Sequence, residues 1–380
     1  MENELAYWIA LAHLSKWGNK KKNEIIVRFF GERISIIDFF HLEKSEWSNI
    51  YGLSDNDFNL LEEAKSELAN YAFLVEDLLE QGYKILPITS GDYSQMLKNN
   101  LKRSYAPPVI YIKGNKEILE KESVAIVGSR KACNDSLKFA DNIAQKASKD
   151  TKVIVSGFAK GVDKQALDST ILHKGQSIIV LPQGITTFTS GFKKYYEQII
   201  EGDVLVLSTF YPKAPWSVQL AMARNPIIYG LANEIFVAES DNKGGTWSGV
   251  MDGLRKGRKI YVRKPDEKEM NANNLLIKRG AIPVDILGNE ITKENLKDET
   301  EINIVDEFAI ESVERRIIDF LKNGEYTSKE IIEKLKISWS TRKLTNYLRE
   351  NTNVETRKTK PFSFTHKNRI IKQEIILFDK

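Results

Sequence analysis

Ser123-Val-Ala-Ile-Val-Gly-Ser-Arg130 is followed one strand-helix-strand unit later by Ser156-Gly-Phe-Ala-Lys-Gly-Val-Asp163. Each stretch begins, directly or just upstream, with an apolar run suited to a buried strand and ends in small residues that form a turn. Helix-like sequence follows each one, over 135–149 and 162–173. A strand that stops on Gly-Ser or Ser-Gly just before a helix presents bare backbone N–H groups at a helix N-terminus. Those groups and the helix dipole favour an anion, most often a phosphate. Arg130 and Lys160 stand beside the turns and add charge-assisted contacts. The pair therefore predicts a phosphate-binding crest on a parallel sheet. Its donors are the amides of Gly128, Ser129 and Gly157 and the hydroxyls of Ser129 and Ser156.

Outward from these turns the same rhythm continues. Apolar runs recur at 124–127, 153–155, 178–181, 204–207, 235–238 and 260–262, with helical stretches between most of them. Strands alternating with helices give a Rossmann-like, doubly wound parallel α/β sheet. The sheet domain is assigned to residues 83–287, with a strand-like lead-in at 83–88 and 107–114. Residues 1–82 carry apolar side chains at three- and four-residue spacing and read as a helical N-terminal domain. Its longest helix covers 55–81, with N-caps in Ser54-Asp-Asn-Asp57. Residues 288–308 read as a charged linker. Residues 309–380 follow the order helix, helix, turn, helix, hairpin, which is that of a winged helix. Its third helix is expected over 339–350 and its strands at 354–357 and 370–378.

The 380 residues are 42% apolar and carry a formal net charge of only +4, so no global field marks a nucleic-acid binder. The distribution says more. Residues 336–380 hold eleven Lys and Arg against four acids, a local excess of +7 that suits an anionic partner. The single cysteine, Cys133, forms no intrachain disulfide, which fits a reducing cytoplasm. The N-terminus does not read as a signal peptide. No run of about 18 apolar residues predicts a membrane span. His13, His41, His173 and His366 are scattered, and no Cys-x-x-Cys or His-x-x-x-His spacing predicts a zinc site. Neither a P-loop nor a Gly-x-Ser-x-Gly elbow is present. No metal, no cofactor and no catalytic residue is expected.

The middle segment resembles the DNA-processing protein A (DprA/Smf) family. The likeness is carried by Ala125-Ile-Val-Gly-Ser-Arg130, Val155-Ser-Gly-Phe-Ala-Lys-Gly-Val-Asp163, Ser177-Ile-Ile-Val-Leu-Pro-Gln-Gly184 and Ala223-Arg-Asn-Pro-Ile-Ile-Tyr-Gly-Leu231. Val237-Ala-Glu-Ser240, Gly257-Arg-Lys-Ile-Tyr-Val262 and Asn273-Asn-Leu-Leu-Ile-Lys-Arg-Gly-Ala281 continue it in order. Three positions depart from the pattern. Leu167 stands where the family has His, Pro226 where it has Arg, and Gly244-Gly245 where it has a Ser/Thr-rich turn. The resemblance implies a homodimer that binds single-stranded DNA without catalysis and hands it to a RecA-type recombinase.

Single-strand binding needs cations along a backbone and flat side chains under the bases. Arg130, Lys160, Lys174 and Arg224 are the cations expected near the crest. Phe158 and Trp247 each have two readings, a base-stacking surface or a core position. Asp163 is expected to cap the helix that follows it. Glu239 is expected to meet a ribose hydroxyl or to pair with a crest arginine. In the winged helix, Arg342, Lys343 and Arg349 on the third helix and Arg357, Lys358 and Lys360 on the wing would contact DNA, duplex included. Two further functions fit the same residues. One is a nucleotide-binding or nucleotide-hydrolysing sensor that uses Asp163 or Glu239. The other is a specialised defence or regulatory DNA binder.

Overall fold

The computed structural model of the chain describes residues 2–291, 316–337, 339–350, 354–357 and 363–366. The chain divides into two compact units, Met1–Ile291 and Thr292–Lys380. In the first, the apolar runs form a nine-stranded sheet. Its strands are β1 (Lys84–Pro87), β2 (Val109–Lys113), β3 (Ser123–Gly128), β4 (Val153–Ser156), β5 (Ser177–Val180), β6 (Val204–Ser208), β7 (Glu234–Glu239), β8 (Ile260–Arg263) and β9 (Ile282–Val284).

The spatial order is β1-β2-β6-β5-β4-β3-β7-β8-β9. From β6 to β9 all neighbours are parallel. The β1–β2 hairpin adds an antiparallel edge through β2 and β6. The parallel part starts at β3 and steps through β4, β5 and β6 to one side. The chain then returns to lay β7, β8 and β9 on the other side. Strand order reverses between β3 and β7, and in such sheets ligands bind outside the carboxyl ends at the reversal. The last strand, β9, has no counterpart among the expected runs. It is three residues long and contains Pro283, which an edge position tolerates.

Successive side chains of a strand point to opposite faces. Val124 and Ile126 accordingly join Phe139, Ala140 and Ile143 of the helix Asn134–Lys149 and Val162 and Ala166 of the helix Val162–Leu172. Ala125 and Val127 join the core on the other face, with Ile227 and Ile228 of the helix Val218–Gly230. That second core also takes in Ile9, Phe29, Phe39 and Trp47 of the N-terminal helices. These helices are Glu2–Ala12, Asn19–Gly31, Ile36–His41, Lys44–Asn49, Asp55–Ser66 and Leu68–Glu80. Ser54 caps the fifth in a reciprocal box with Asp57. The single helix expected over 55–81 is two, divided at Glu67, which keeps right-handed backbone at φ −91°, ψ 0° but turns its amide to the Lys65 carbonyl. His13 hydrogen-bonds the Tyr111 hydroxyl of β2 at 2.8 Å and ties the helices to the sheet.

In the second unit, residues 316–321 are helical. Strand β10 (Tyr326–Thr327), helices Ser328–Leu335 and Thr341–Glu350, and strands β11 (Val354–Arg357) and β12 (Ser363–His366) follow. The strands form an antiparallel sheet in the order β10-β12-β11 around a core of Ile317, Leu321, Ile331, Leu344, Leu348 and Phe364. Thr327 caps the second helix in a box with Glu330. The partner of β11 is 363–366, where buried Phe364 anchors the strand. The expected strand at 370–378 lies outside the described residues, as does most of the expected linker. Among the described residues, no helix is long and apolar enough to cross a membrane.

Candidate functional site

The two turns that open the sequence argument meet at the carboxyl ends of β3 and β4. The Val162 amide donates to the Ser129 carbonyl at 3.3 Å. Gly161 has φ +79°, and a Cβ there would lie 2.4 Å from the Ser129 carbonyl oxygen. Only glycine allows both the left-handed backbone and this contact.

The chain's own carboxylates occupy the turn after β4 and the helix start that follows β3, while Gly128 and Ser129 themselves line an open cleft. After β3, Glu239 accepts the Cys133 amide and the Ser136 hydroxyl, each at 2.8 Å. It thus caps the N-terminus of the helix Asn134–Lys149, a role the sequence did not suggest. After β4, Phe158 adopts φ +59°, so the amides on either side of it converge. Such a nest binds anions. Its anion is Asp163, whose Oδ2 accepts from Gly157 at 3.2 Å and from Ala159 at 3.4 Å. Asp163 therefore closes its own loop and does not cap its helix. The Gly157 amide is not free for phosphate. Nor is the Ser156 hydroxyl, which is buried and donates to the Asp163 carbonyl at 3.3 Å.

Arg224 is also structural. It is 4% exposed. Its Nη1 donates to the Gly157 carbonyl and, at 2.9 Å, to the Val180 carbonyl, tying the ends of β4 and β5 together. Gly157 makes room for it, since a Cβ there would lie 1.8 Å from Nη1. Burial raises the Asp163 carboxyl, while Arg224, the two amides and Arg130 pull it down. Burial likewise lowers Arg224 against the attraction of Asp163.

A third turn remains open. The helix Gly245–Arg255 starts just beyond β7, and its N-cap, Gly244, has φ +94° and offers no side-chain cap. Gly245 packs closely on Asn225, where a Cβ would lie 2.7 Å from Nδ2. Thr246 Oγ1 donates to the Gly128 carbonyl at 3.2 Å, linking this turn to β3. Between the two turns lies a cleft of about 500 Å³ at the β3/β7 reversal. Gly128, Ser129, Arg130 and Lys131 line it from β3, and Lys243, Gly244, Gly245 and Thr246 from β7. Val218, Ala221 and Met222 form an apolar wall. Four cations (Arg130, Lys131, Arg224, Lys243) face two acids (Asp163, Asp241). Sequence reasoning missed Lys131, Lys243 and the role of Gly244-Gly-Thr246. The signal was present, since a glycine pair between a strand and a helix obeys the same rule as the first two turns.

The other expected residues fall elsewhere. Lys160 is exposed but does not line the cleft. Lys174 follows the C-terminus of the helix Val162–Leu172, whose N-terminus is at the crest. Eleven residues of helix span about 16 Å, so Lys174 sits at the opposite end of the sheet. Phe158 packs edge-on against Phe188 and Tyr195, at centroid distances of 5.0 and 5.8 Å. Trp247 is half-buried against the core with Arg279 over its ring at 5.8 Å. Leu167 is fully buried, so a core side chain stands at the family's histidine position. Pro226 is exposed and lines a smaller hollow of about 120 Å³ beside the cleft. In the C-terminal unit, Arg342, Arg349 and Arg357 are exposed, and Arg357 lies 3.5 Å from the Glu325 carboxylate. The Lys343 side chain, Lys358 and Lys360 lie outside the described residues.

A doubly wound sheet with a cleft where strand order reverses defines a Rossmann-like binding fold. The chain belongs to the DNA recombination-mediator protein A family, whose sequence model matches residues 84–294. It is 32% identical over 158 residues to the DNA processing protein DprA of Streptococcus pneumoniae, covering 41% of this chain and 55% of that protein. With DprA of Bacillus subtilis the identity is 27% over 185 residues, 48% of this chain and 61% of that one. The matched stretches thus span little more than half the length of these relatives. The X-ray structure of the S. pneumoniae protein shares the fold at a TM-score of 0.60 and 23% identity, covering 79% of this chain and 99% of that chain.

Proposed function

We propose that this protein binds single-stranded DNA at the β3/β7 cleft and works as a carrier without chemistry of its own. The observation that carries the reading is the make-up of the cleft. One wall offers Arg130, Lys131, Lys243 and an uncapped helix N-terminus to a phosphate backbone. The other offers Val218, Ala221 and Met222 to bases. A single strand needs both kinds of surface at once. Two acids that a nucleotide-processing enzyme would use, Asp163 and Glu239, are engaged in holding the turns. Membership of a recombination-mediator family supports the next step, delivery of the strand to a RecA-type recombinase by a cytoplasmic homodimer. We read the C-terminal unit as a winged helix that adds a second DNA contact through Arg342, Lys343, Arg349, Arg357, Lys358 and Lys360.

The test is anisotropy of a labelled single-stranded oligonucleotide across a salt series, with duplex of the same sequence alongside. Several phosphate contacts give affinity that falls steeply with salt. Tight, salt-steep binding that favours the single strand supports the proposal. A shallow slope, with a mononucleotide competing stoichiometrically, would instead identify a nucleotide pocket.

A further inference from the structure

We infer that Trp216 is the platform on which bases of the bound strand stack, with Met222 and Val218 continuing it toward the cleft. This rests on the single-strand reading above. The sequence offered Phe158 and Trp247 for stacking, but both rings are engaged in packing. The free aromatic surface lies elsewhere. From the loop after β6 into the first turns of the helix Val218–Gly230, four large apolar side chains stand exposed within twelve residues. They are Tyr211 (37%), Trp216 (52%), Val218 (64%) and Met222 (44%). Val218 and Met222 are four residues apart on one helix face and line the cleft. Trp216 immediately precedes Ser217, whose hydroxyl caps that helix by accepting the Leu220 amide at 3.1 Å.

The segment is held in place. Ala214 accepts the Gly184 amide at 2.8 Å, and Pro212 accepts the Thr186 hydroxyl at 2.7 Å. Pro212 and Pro215 stiffen it further. A pinned loop that presents a tryptophan, followed by a helix that presents a methionine, is a preorganised apolar surface, so little ordering entropy opposes binding. Trp216 itself stands outside the cleft lining, two residues before Val218, and Arg130, Lys131 and Lys243 supply positive charge in the cleft that Val218 and Met222 line. An apolar, polarizable strip next to a cationic strip matches a single strand laid with bases on one side and phosphates on the other. Trp and Met both make favourable contacts with π faces.

The test compares the full-length protein with Trp216→Ala, Trp216→Phe and Arg130→Ala variants. Each is titrated against oligo-dT and against an oligonucleotide of equal length built from abasic sites. Stacking on one aromatic makes Trp216→Ala weaker on oligo-dT by roughly 5- to 150-fold. Trp216→Phe recovers most of that loss. On the abasic strand, wild type and Trp216→Ala bind alike, because no base is there to stack. Arg130→Ala weakens both strands. If Trp216→Ala matches wild type on oligo-dT while Arg130→Ala is weak, the stacking role is overturned and the crest reading stands. If both variants match wild type, the crest reading itself fails. An equal loss on both strands also overturns stacking, and sedimentation velocity then tells whether Trp216 serves contact between two copies of the chain.

Discussion

Gly157 and Arg224 make a sharp test of how the crest is built. Gly157 is not in the left-handed region, so alanine suits its backbone, and the only obstacle is steric. An added Cβ would lie 1.8 Å from Nη1 and 2.3 Å from Cζ of Arg224. The guanidinium must move, and it then loses its bonds to the Gly157 and Val180 carbonyls. Hydrogen bonds from a charged donor contribute about 1.5–3 kcal/mol each, and forcing extra volume into a packed site costs about 1–3 kcal/mol. Gly157→Ala should therefore destabilise the first unit by roughly 3–5 kcal/mol. Arg224→Ala should cost a similar ~3–5 kcal/mol, since it leaves the Gly157 and Val180 carbonyls without their donor and buried Asp163 with only Arg130 to offset its charge. With Arg224 already removed, the clash is gone. Gly157→Ala in that background should then change stability by less than about 1 kcal/mol.

The cycle thus has a coupling energy of roughly 2–4 kcal/mol, well above the ~0.5 kcal/mol within which independent sites add. Urea unfolding followed by tryptophan fluorescence measures it, because Trp8, Trp17, Trp47, Trp216 and Trp247 all lie in the first unit. Equal cost of Gly157→Ala in both backgrounds would refute the reasoning. It would mean that Gly157 is required for something other than the passage of Arg224.

Other predictions concern charge. Burial, with the nearby charge of Lys22, pushes His13 down to about 3 from its ordinary 6.5. The unfolded chain binds the extra proton first, so the contribution of His13 is intact above pH 6.5 and is lost as pH falls toward the folded value. At pH 4.5 wild type should have lost about 2–3 kcal/mol relative to pH 7.5 through this residue, a slope that His13→Gln should remove in denaturant titrations. Arg130→Ala and Lys243→Ala should each flatten the log–log salt slope of single-strand binding by about 0.7 per lost phosphate contact. Lys174→Ala, at the far end of the sheet, should leave slope and affinity unchanged. Glu239→Gln should destabilise the helix Asn134–Lys149 by about 1–2 kcal/mol through loss of a charged cap. It should also leave unaltered the relative affinity for RNA and DNA strands of equal sequence, whereas a ribose-holding acid would alter it.

Much of the architecture was legible because burial leaves a direct mark on sequence. A strand covered on both faces must be apolar throughout, and Val124–Val127, Ile178–Leu181 and Val204–Leu207 are. The strand-to-helix turns were equally plain, since small residues must stand there. Their occupants were not. Glu239 lies 106 residues beyond the amide it caps, and Arg224 lies 67 residues beyond the carbonyl it holds. Nothing local marks either pairing. A carboxylate that completes a turn and one that grips a ligand are the same residue type in the same kind of place.

By itself, then, the sequence determined most of the strands and helices of the sheet domain, the parallel winding and the rule that anions gather at the crest, but not β9, the break at Glu67 or the strand that pairs with β11. These follow from periodicity, burial and the unsatisfied amides at helix starts, all of which act over a few residues. Only the tertiary structure decided which turn is open. Folding brings Asp163 onto the Gly157 amide and Glu239 onto the helix start at Cys133, and leaves Gly244-Gly-Thr246 uncapped beside Arg130 and Lys131. The choice depends on distances between strands that are neighbours in the sheet but remote in the chain, and no local pattern encodes them.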